Sequence, residues 1–317
     1  MTTCPTTTSY WKKPSPSDSS VHRAVLARHT PTTMSQLPAG DAPGTGPATL
    51  LTSVAARPQW RVVDFISDLH LHAGDDATVL AWQHYLQNTS AQALFILGDL
   101  FEVWVGDDVL VQSPAHDASS RTGFEARCVD ALRQARQRLE LFFICGNRDF
   151  LLGVHSLRAS GMQALADPCV LQLGSQRWLL SHGDALCLDD VDYQRFRTMV
   201  RSTAWQAEFL AQPLTRRQSV ARQLRAQSEL HKRAHPVPST VDTPATMQWL
   251  REANASTLIH GHTHQPADHA LAQGLRRIVL SDWDLNATPP RAQVLRLTLD
   301  GAGEPVDLRR LLPADAC

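Results

Sequence analysis

Five short strings stand out for what their side chains can bind. In chain order they are Asp68-x-His70, Gly98-Asp99, Gly146-Asn147-Arg148-Asp149, His182-Gly183-Asp184 and Gly261-His262-Thr263-His264. Taken singly each is ordinary, since Gly-Asp and Gly-Asn are common turn dipeptides and solvated loop histidines are frequent. Together they offer carboxylate, amide-oxygen and imidazole donors, the set that suits Mn²⁺, Fe²⁺ or Zn²⁺. The lack of thiolates among them argues against a structural zinc. Such donors in quantity point to metal-assisted attack of water on a phosphoester. Arg148 directly follows Asn147 and is the natural cation for phosphoryl oxygens. Asp184, two residues past His182, is expected to orient a ligand imidazole.

The elements that must carry these strings are legible beside them. Each string ends a short apolar run: Arg61–Ile66, Ala93–Leu97, Leu141–Cys145, Trp178–Leu180 and Thr257–Ile259. Apolar periodicity predicts helices over Asp76–Asn88 and Phe124–Leu139. Strands alternating with helices predict an α/β sheet covered on both faces. In such sheets the ligand site lies beyond the carboxyl ends of the strands, where all five strings fall. After Asp184 the pattern turns helical over Val191–Met199, Ala204–Ala211 and Leu214–Ala234, an insertion between the fourth strand and the fifth. Arg276–Leu280 and Val294–Leu299 are expected to complete a second sheet.

Bulk properties narrow the partners. The chain has 317 residues, 43% of them hydrophobic and 19% charged, as in a soluble globular protein. Its net charge of −1 advertises no nucleic-acid partner. The six cysteines form no CxxC pair, which fits a reducing, cytoplasmic compartment. No run of about 18 apolar residues is present, so membrane contact is expected to be peripheral. Residues 1–57 are rich in Thr, Ser, Pro, Ala and Gly and are expected to be a disordered or mis-started tail, with Met34 as an alternative start. The domain is expected over 58–317, with the helical insertion at about 188–240.

The insertion is basic. From Arg195 to His235 nine arginines and lysines face only Glu208 and Glu229, a net of +7. The same helices carry Phe196, Met199, Trp205, Phe209, Leu210, Leu224 and Leu230. A solvated charged face is the plain reading of such a run. Apolar and cationic residues beside metals also suit an acyl-chain pocket next to a phosphate, and an anionic membrane surface.

The order of the five strings resembles the calcineurin-like metallophosphoesterase superfamily over roughly residues 61–285. That resemblance implies a β-sandwich flanked by helices, with the helical insertion as a lid. It implies that Asp68, His70 and His264 hold one divalent metal and that Asn147, His182 and His262 hold the other, with Asp99 bridging. A shared carboxylate is what two cations about 3.5–4 Å apart need against mutual repulsion.

Longer strings narrow the family. They are Ser67–Leu71, Gly98–Asp108, Gly146–Gly153, His182–Cys187 with Asp189–Gln194, and Ile259–Pro266. These are similar to the UDP-2,3-diacylglucosamine hydrolases, diphosphatases of lipid A biosynthesis. The resemblance implies cleavage of the pyrophosphate to lipid X and UMP with two Mn²⁺ ions, at the cytoplasmic face of the inner membrane. Asp99, Arg148 and His262 would act in catalysis. Asn147, Arg148, Asp190, Tyr193, Ser228, Lys232 and His262 would bind substrate. No nucleic acid and no obligate protein partner are expected. His235 stands where a second lysine is expected, and Cys145 where histidine is common. A soluble nucleotide or nucleotide-sugar phosphodiesterase is the alternative.

Overall fold

The computed structural model describes residues 51–111, 123–234 and 240–317, with the backbone alone over 227–234. The order opens with β1 (Ser53–Ala55), β2 (Val62–Ile66), α1 (Asp76–Asn88), β3 (Ala93–Leu97), α2 (Phe124–Ala135) and β4 (Glu140–Ile144). Next come α3 (Val154–Ser160), β5 (Gln163–Ala164), β6 (Cys169–Leu173) and β7 (Gln176–Leu180). Three helices follow without a strand, α4 (Val191–Val200), α5 (Thr203–Leu210) and α6 (Leu214–Ala234), and then α7 (Thr243–Glu252). The chain closes with β8 (Thr257–His260), β9 (Ala267–Ala270), β10 (Arg276–Val279), β11 (Val294–Leu299) and β12 (Pro305–Leu311).

The strands form two six-stranded sheets, ordered β1-β6-β7-β8-β10-β9 and β12-β11-β2-β3-β4-β5. Alternation within single strands builds three layers of core. Ala93, Phe95 and Leu97 of β3 and Phe142 and Ile144 of β4 pack with Leu171, Trp178, Leu180 and Ile259 of the other sheet. Their neighbours Leu94, Ile96, Leu141 and Phe143 turn outward onto Trp82, Tyr85 and Leu86 of α1 and Val129 and Leu132 of α2. On the far side Val170, Leu179 and Leu258 meet Leu250 and Ala253 around α7. Strands buried on both faces read as continuous apolar runs, which is why β3 and β4 show no polar alternation. Phe65, Phe95 and Phe142 stack across β2, β3 and β4 with ring centroids 5.4 and 4.6 Å apart.

One charged network is buried beside this core. Asp64 is fully buried and takes Arg296 through two bonds of 2.8 Å, along with the Tyr85 hydroxyl at 2.8 Å and Thr89 at 3.1 Å. Arg296 also donates to the Ala316 carbonyl at 2.6 Å, tying the chain's end to β2.

Two expectations need correction. The boundary at residue 57 falls too late. Ser53–Ala55 pair in parallel with Val170–Gln172, and Ala56 and Val170 complete the ladder with bonds of 2.8 and 2.9 Å to Gln172 and Thr52. The short apolar run at Leu51–Ala56 supplies an edge strand; the earlier tail residues lie outside the described residues. Second, Arg276–Val279 and Val294–Leu299 do not share a sheet. β10 pairs in parallel with β8, whereas β11 pairs antiparallel with β2, so the two runs extend different sheets. Both are apolar and near in sequence, and only long-range pairing separates them.

Candidate metal centre

The ligand-type residues sit where strand ends meet. Asp68 and His70 follow β2, Asp99 follows β3, Asn147 and Arg148 follow β4, His182 follows β7, and His262 and His264 follow β8. Within each sheet these strands run parallel to one another, β2 with β3 and β4, and β7 with β8, so their carboxyl ends emerge on one edge. Backbone bonds lace the loops together: Asp68 N–H to the Gly98 carbonyl at 3.1 Å, His70 to Asp99 at 3.0 Å, and Gly261 to His182 at 3.0 Å. Asp149, fully buried, accepts the Gly146 and Leu100 N–H groups at 2.7 Å each and so clamps the β3 and β4 loops. Gly146 leaves the space that Asp99 occupies, since a Cβ there would meet the Asp99 carboxylate and amide.

Five of these positions pay for their geometry in backbone strain. Asp68 (φ 54°), His70 (48°), Asp99 (52°), His262 (67°) and His264 (54°) all lie in the left-handed region. Among the described residues only Asn254 and Gln273 are further non-glycine cases. Side chains rarely adopt that region without strain of roughly 1–2 kcal/mol each.

The donor atoms converge. Asp68, His70 and His264 bring ligand atoms within 4.8 Å of one another, and so do Asp68, Asp99 and His182. The Asn147 amide oxygen lies 2.9 Å from His182 Nε2 and 3.0 Å from His262 Nδ1. His70 and His264 face each other Nε2 to Nε2 at 3.2 Å. His182 Nδ1 donates to the Leu97 carbonyl at 2.9 Å, so a neutral His182 turns its Nε2 lone pair toward the Asn147 oxygen. Lone pairs facing lone pairs call for cations between them, and this donor set fits two divalent ions.

Burial pulls His182 down, yet Asp99, Asp68 and Asp184 outweigh it and carry its pKa up to about 9. Asp68 is pushed up by burial, but the hydrogen bond and charge of His264, with His182 and His70, hold it far below the carboxylate range. His262 drops to about 3, through burial and then the charge of His182, and stays neutral with a free lone pair. His260 is also buried and falls to about 4 through burial; its Nδ1 contacts the Gly261 carbonyl at 2.8 Å rather than the ligand cluster.

Arg148 donates its N–H to Asp99 Oδ1 at 2.8 Å, and its guanidinium reaches Glu102 Oε1 at 3.4 Å. Tyr193 stacks on His262 with centroids 6.0 Å apart and an interplanar angle of 26°. Asp190 caps α4, accepting the Tyr193 N–H at 3.0 Å. Ser228 and Lys232 fall in α6 where side chains lie outside the described residues, and His235 is likewise outside them.

The role expected of Asp184 changes. The Leu97 carbonyl, not Asp184, orients His182. Asp184 instead gathers the insertion: it accepts from the Tyr193 hydroxyl at 2.7 Å, Arg197 Nε at 2.8 Å and Arg201 Nη2 at 3.4 Å. Arg217 is 2% exposed and binds Asp108 and the Val105 carbonyl, and Arg225 Nε reaches Glu102 at 2.9 Å. Part of the insertion's charge therefore pins α4 and α6 onto the metal-site loops.

Sequence reasoning missed Glu102. It is 8% exposed, and its Oε2 lies 3.2 Å from His70 Nδ1. Against the upward push of burial, His70, Arg148 and Arg225 bring its pKa down to about 2. It sits inside the Gly98–Asp108 string, but nothing in its spacing marks it apart from a surface glutamate.

The calcineurin-like phosphoesterase profile matches residues 62–266. Similar curated proteins are named UDP-2,3-diacylglucosamine hydrolase. The one from Aromatoleum aromaticum is 43% identical over 251 residues, covering 77% of this chain and 96% of that protein. Those from Chromohalobacter salexigens and Chromobacterium violaceum are 42% and 44% identical, covering 69% and 70% of this chain and 87% and 90% of theirs.

Proposed function

Because the chain belongs to the calcineurin-like phosphoesterase family, we propose that it hydrolyses the pyrophosphate of UDP-2,3-diacylglucosamine, giving 2,3-diacylglucosamine 1-phosphate (lipid X) and UMP. The observation that carries the reading is the cluster of aspartate, asparagine and histidine donors roofed by basic, apolar helices. The names of the similar proteins support the substrate. On this reading the enzyme serves lipid A biosynthesis.

We assign Asp68, His70 and His264 to one divalent ion, Asn147, His182 and His262 to the other, and Asp99 to both, with Mn²⁺ as the metal. A pair bound there supplies positive charge and a water acidic enough to attack phosphorus near neutral pH. Asp99 is held for this task by the Arg148 N–H. The Arg148 guanidinium, 17% exposed at the rim, takes phosphoryl charge as it develops. Tyr193, ring against His262, borders the sugar side, and on the family resemblance we assign Asp190, Ser228 and Lys232 to substrate binding as well. Water adds to one phosphorus and the P–O–P bridge breaks, leaving two phosphate monoesters.

Among the described residues no helix is long and apolar enough to cross a membrane. We place the enzyme peripherally on the cytoplasmic face of the inner membrane. Exposed Leu210 and Leu224 on the insertion, with Val103 beside Glu102, suit contact with lipid.

The test is incubation of purified protein and Mn²⁺ with UDP-2,3-diacylglucosamine, followed by detection of UMP and lipid X. Turnover of UDP-N-acetylglucosamine with none of the diacylated substrate overturns the reading in favour of a soluble nucleotide-sugar phosphodiesterase.

A further inference from the structure

We infer that Glu102 is a positioning residue whose two carboxylate oxygens divide between the metal-facing histidine and the arginines at the phosphate rim. The inference rests on the two-metal reading of the site. Oε2 faces His70 Nδ1 at 3.2 Å, while Oε1 faces Arg148 Nη1 at 3.4 Å and Arg225 Nε at 2.9 Å. These three partners come from the β2 loop, the β4 loop and α6, so one side chain touches three elements.

Each half of the carboxylate has its own task. His70 presents Nε2 toward His264 Nε2, and a neutral imidazole that gives Nε2 to a metal must carry its proton on Nδ1. That buried Nδ1 has no well-formed hydrogen bond among the described residues, and Glu102 Oε2, 3.2 Å away, is the carboxylate oxygen it faces. Glu102 Oε2 therefore sets the tautomer and ring angle, the service a carboxylate behind a ligating histidine provides. Oε1 holds two guanidiniums that would otherwise repel each other at close range. One belongs to the rim residue Arg148, and the other is the point where α6 reaches the site.

Glu102 is itself held for this. Its N–H donates to the Leu71 carbonyl at 3.1 Å, and Leu71 N–H donates to Leu100 at 3.0 Å, so the β2 and β3 loops move as one piece. A glutamate that served only to neutralise nearby arginines would leave metal affinity untouched.

The experiment is calorimetric titration of Mn²⁺ into the metal-stripped protein, native and with Glu102→Ala, Glu102→Gln or Arg225→Ala, alongside steady-state kinetics. Glu102→Ala is expected to weaken Mn²⁺ binding by about 10–100-fold, the usual cost of losing a carboxylate behind a ligand histidine. Glu102→Gln keeps an acceptor for Nδ1 but loses the charge that gathers the arginines. It is expected to bind Mn²⁺ close to native affinity and to raise KM. Arg225→Ala should raise KM and leave Mn²⁺ affinity unchanged. Native Mn²⁺ affinity in Glu102→Ala overturns the inference, as does native KM in Glu102→Gln. If the alanine variant does not fold, the near-isosteric glutamine decides. A native protein that binds Mn²⁺ yet leaves the diacylated substrate intact defeats the proposed function, and the metal titration still judges Glu102.

Discussion

Arg148 gives its backbone N–H to Asp99 Oδ1 at 2.8 Å, so the residue proposed to meet the phosphate also positions the carboxylate at the centre of the ligand cluster. Two loops that follow neighbouring parallel strands are thereby set as a unit. A displacement of either loop would therefore move the ligand carboxylate and the rim residue together.

Asp99→Ala is expected to abolish stoichiometric metal binding at the second ion and to lower kcat. Losing a group behind a ligand costs roughly 10–100-fold, so losing the shared ligand itself should exceed about 100-fold. Metal content by plasma mass spectrometry, read beside turnover, checks this. Full activity with native metal content would show that Asp99 bridges nothing.

Stripping the protein with a chelator is expected to remove activity while leaving the far-ultraviolet circular dichroism unchanged. The three apolar layers pack aliphatic and aromatic side chains on one another, so the fold is expected to persist without the ions. Adding Mn²⁺ back should restore turnover. Unfolding on chelation would mean that the metals hold the sandwich together.

Arg148→Ala should lower kcat/KM by about 100-fold or more, the scale of removing one donor from developing phosphoryl charge. Arg148→Lys should recover only part, because an ammonium cannot fork between Glu102 and a phosphate as a guanidinium does. The backbone N–H to Asp99 survives in both variants. Metal affinity is therefore expected to fall far less than catalysis, and equal losses would contradict this division.

Arg296→Leu should destabilise the protein by about 3–5 kcal/mol, because it strands the fully buried Asp64 without its cation. Urea denaturation measures the loss. The double variant Arg296→Leu with Asp64→Leu should lose less than the single one. Equal losses would show that packing, not the uncompensated charge, sets the cost.

The ligand strings and the strands behind them were legible because both follow from local chemistry. A continuous apolar run ending in Asp, Asn or His reads the same in sequence as in space, and α1 has the bounds its periodicity predicts. What stayed hidden depends on long-range pairing. β10 and β11 look alike as apolar runs, and only their partners β8 and β2 place them in different sheets. β1 hides in a polar tail because three residues carry little periodicity. Asp184 looked like a carboxylate for a histidine, yet the Leu97 carbonyl takes that histidine, a role that leaves no mark in a side-chain pattern. Glu102 needed three elements to meet before its role could be seen.

The left-handed backbone at Asp68, His70, Asp99, His262 and His264 sets catalytic competence against thermal robustness. Glycine relaxes at such angles, so a drift toward glycine at these five places would ease the loops while erasing the donors. A descendant freed from its chemistry could thus become harder to melt as it became inert. In a collection of distant copies, glycine at these positions would mark lineages that have kept the scaffold and abandoned the reaction.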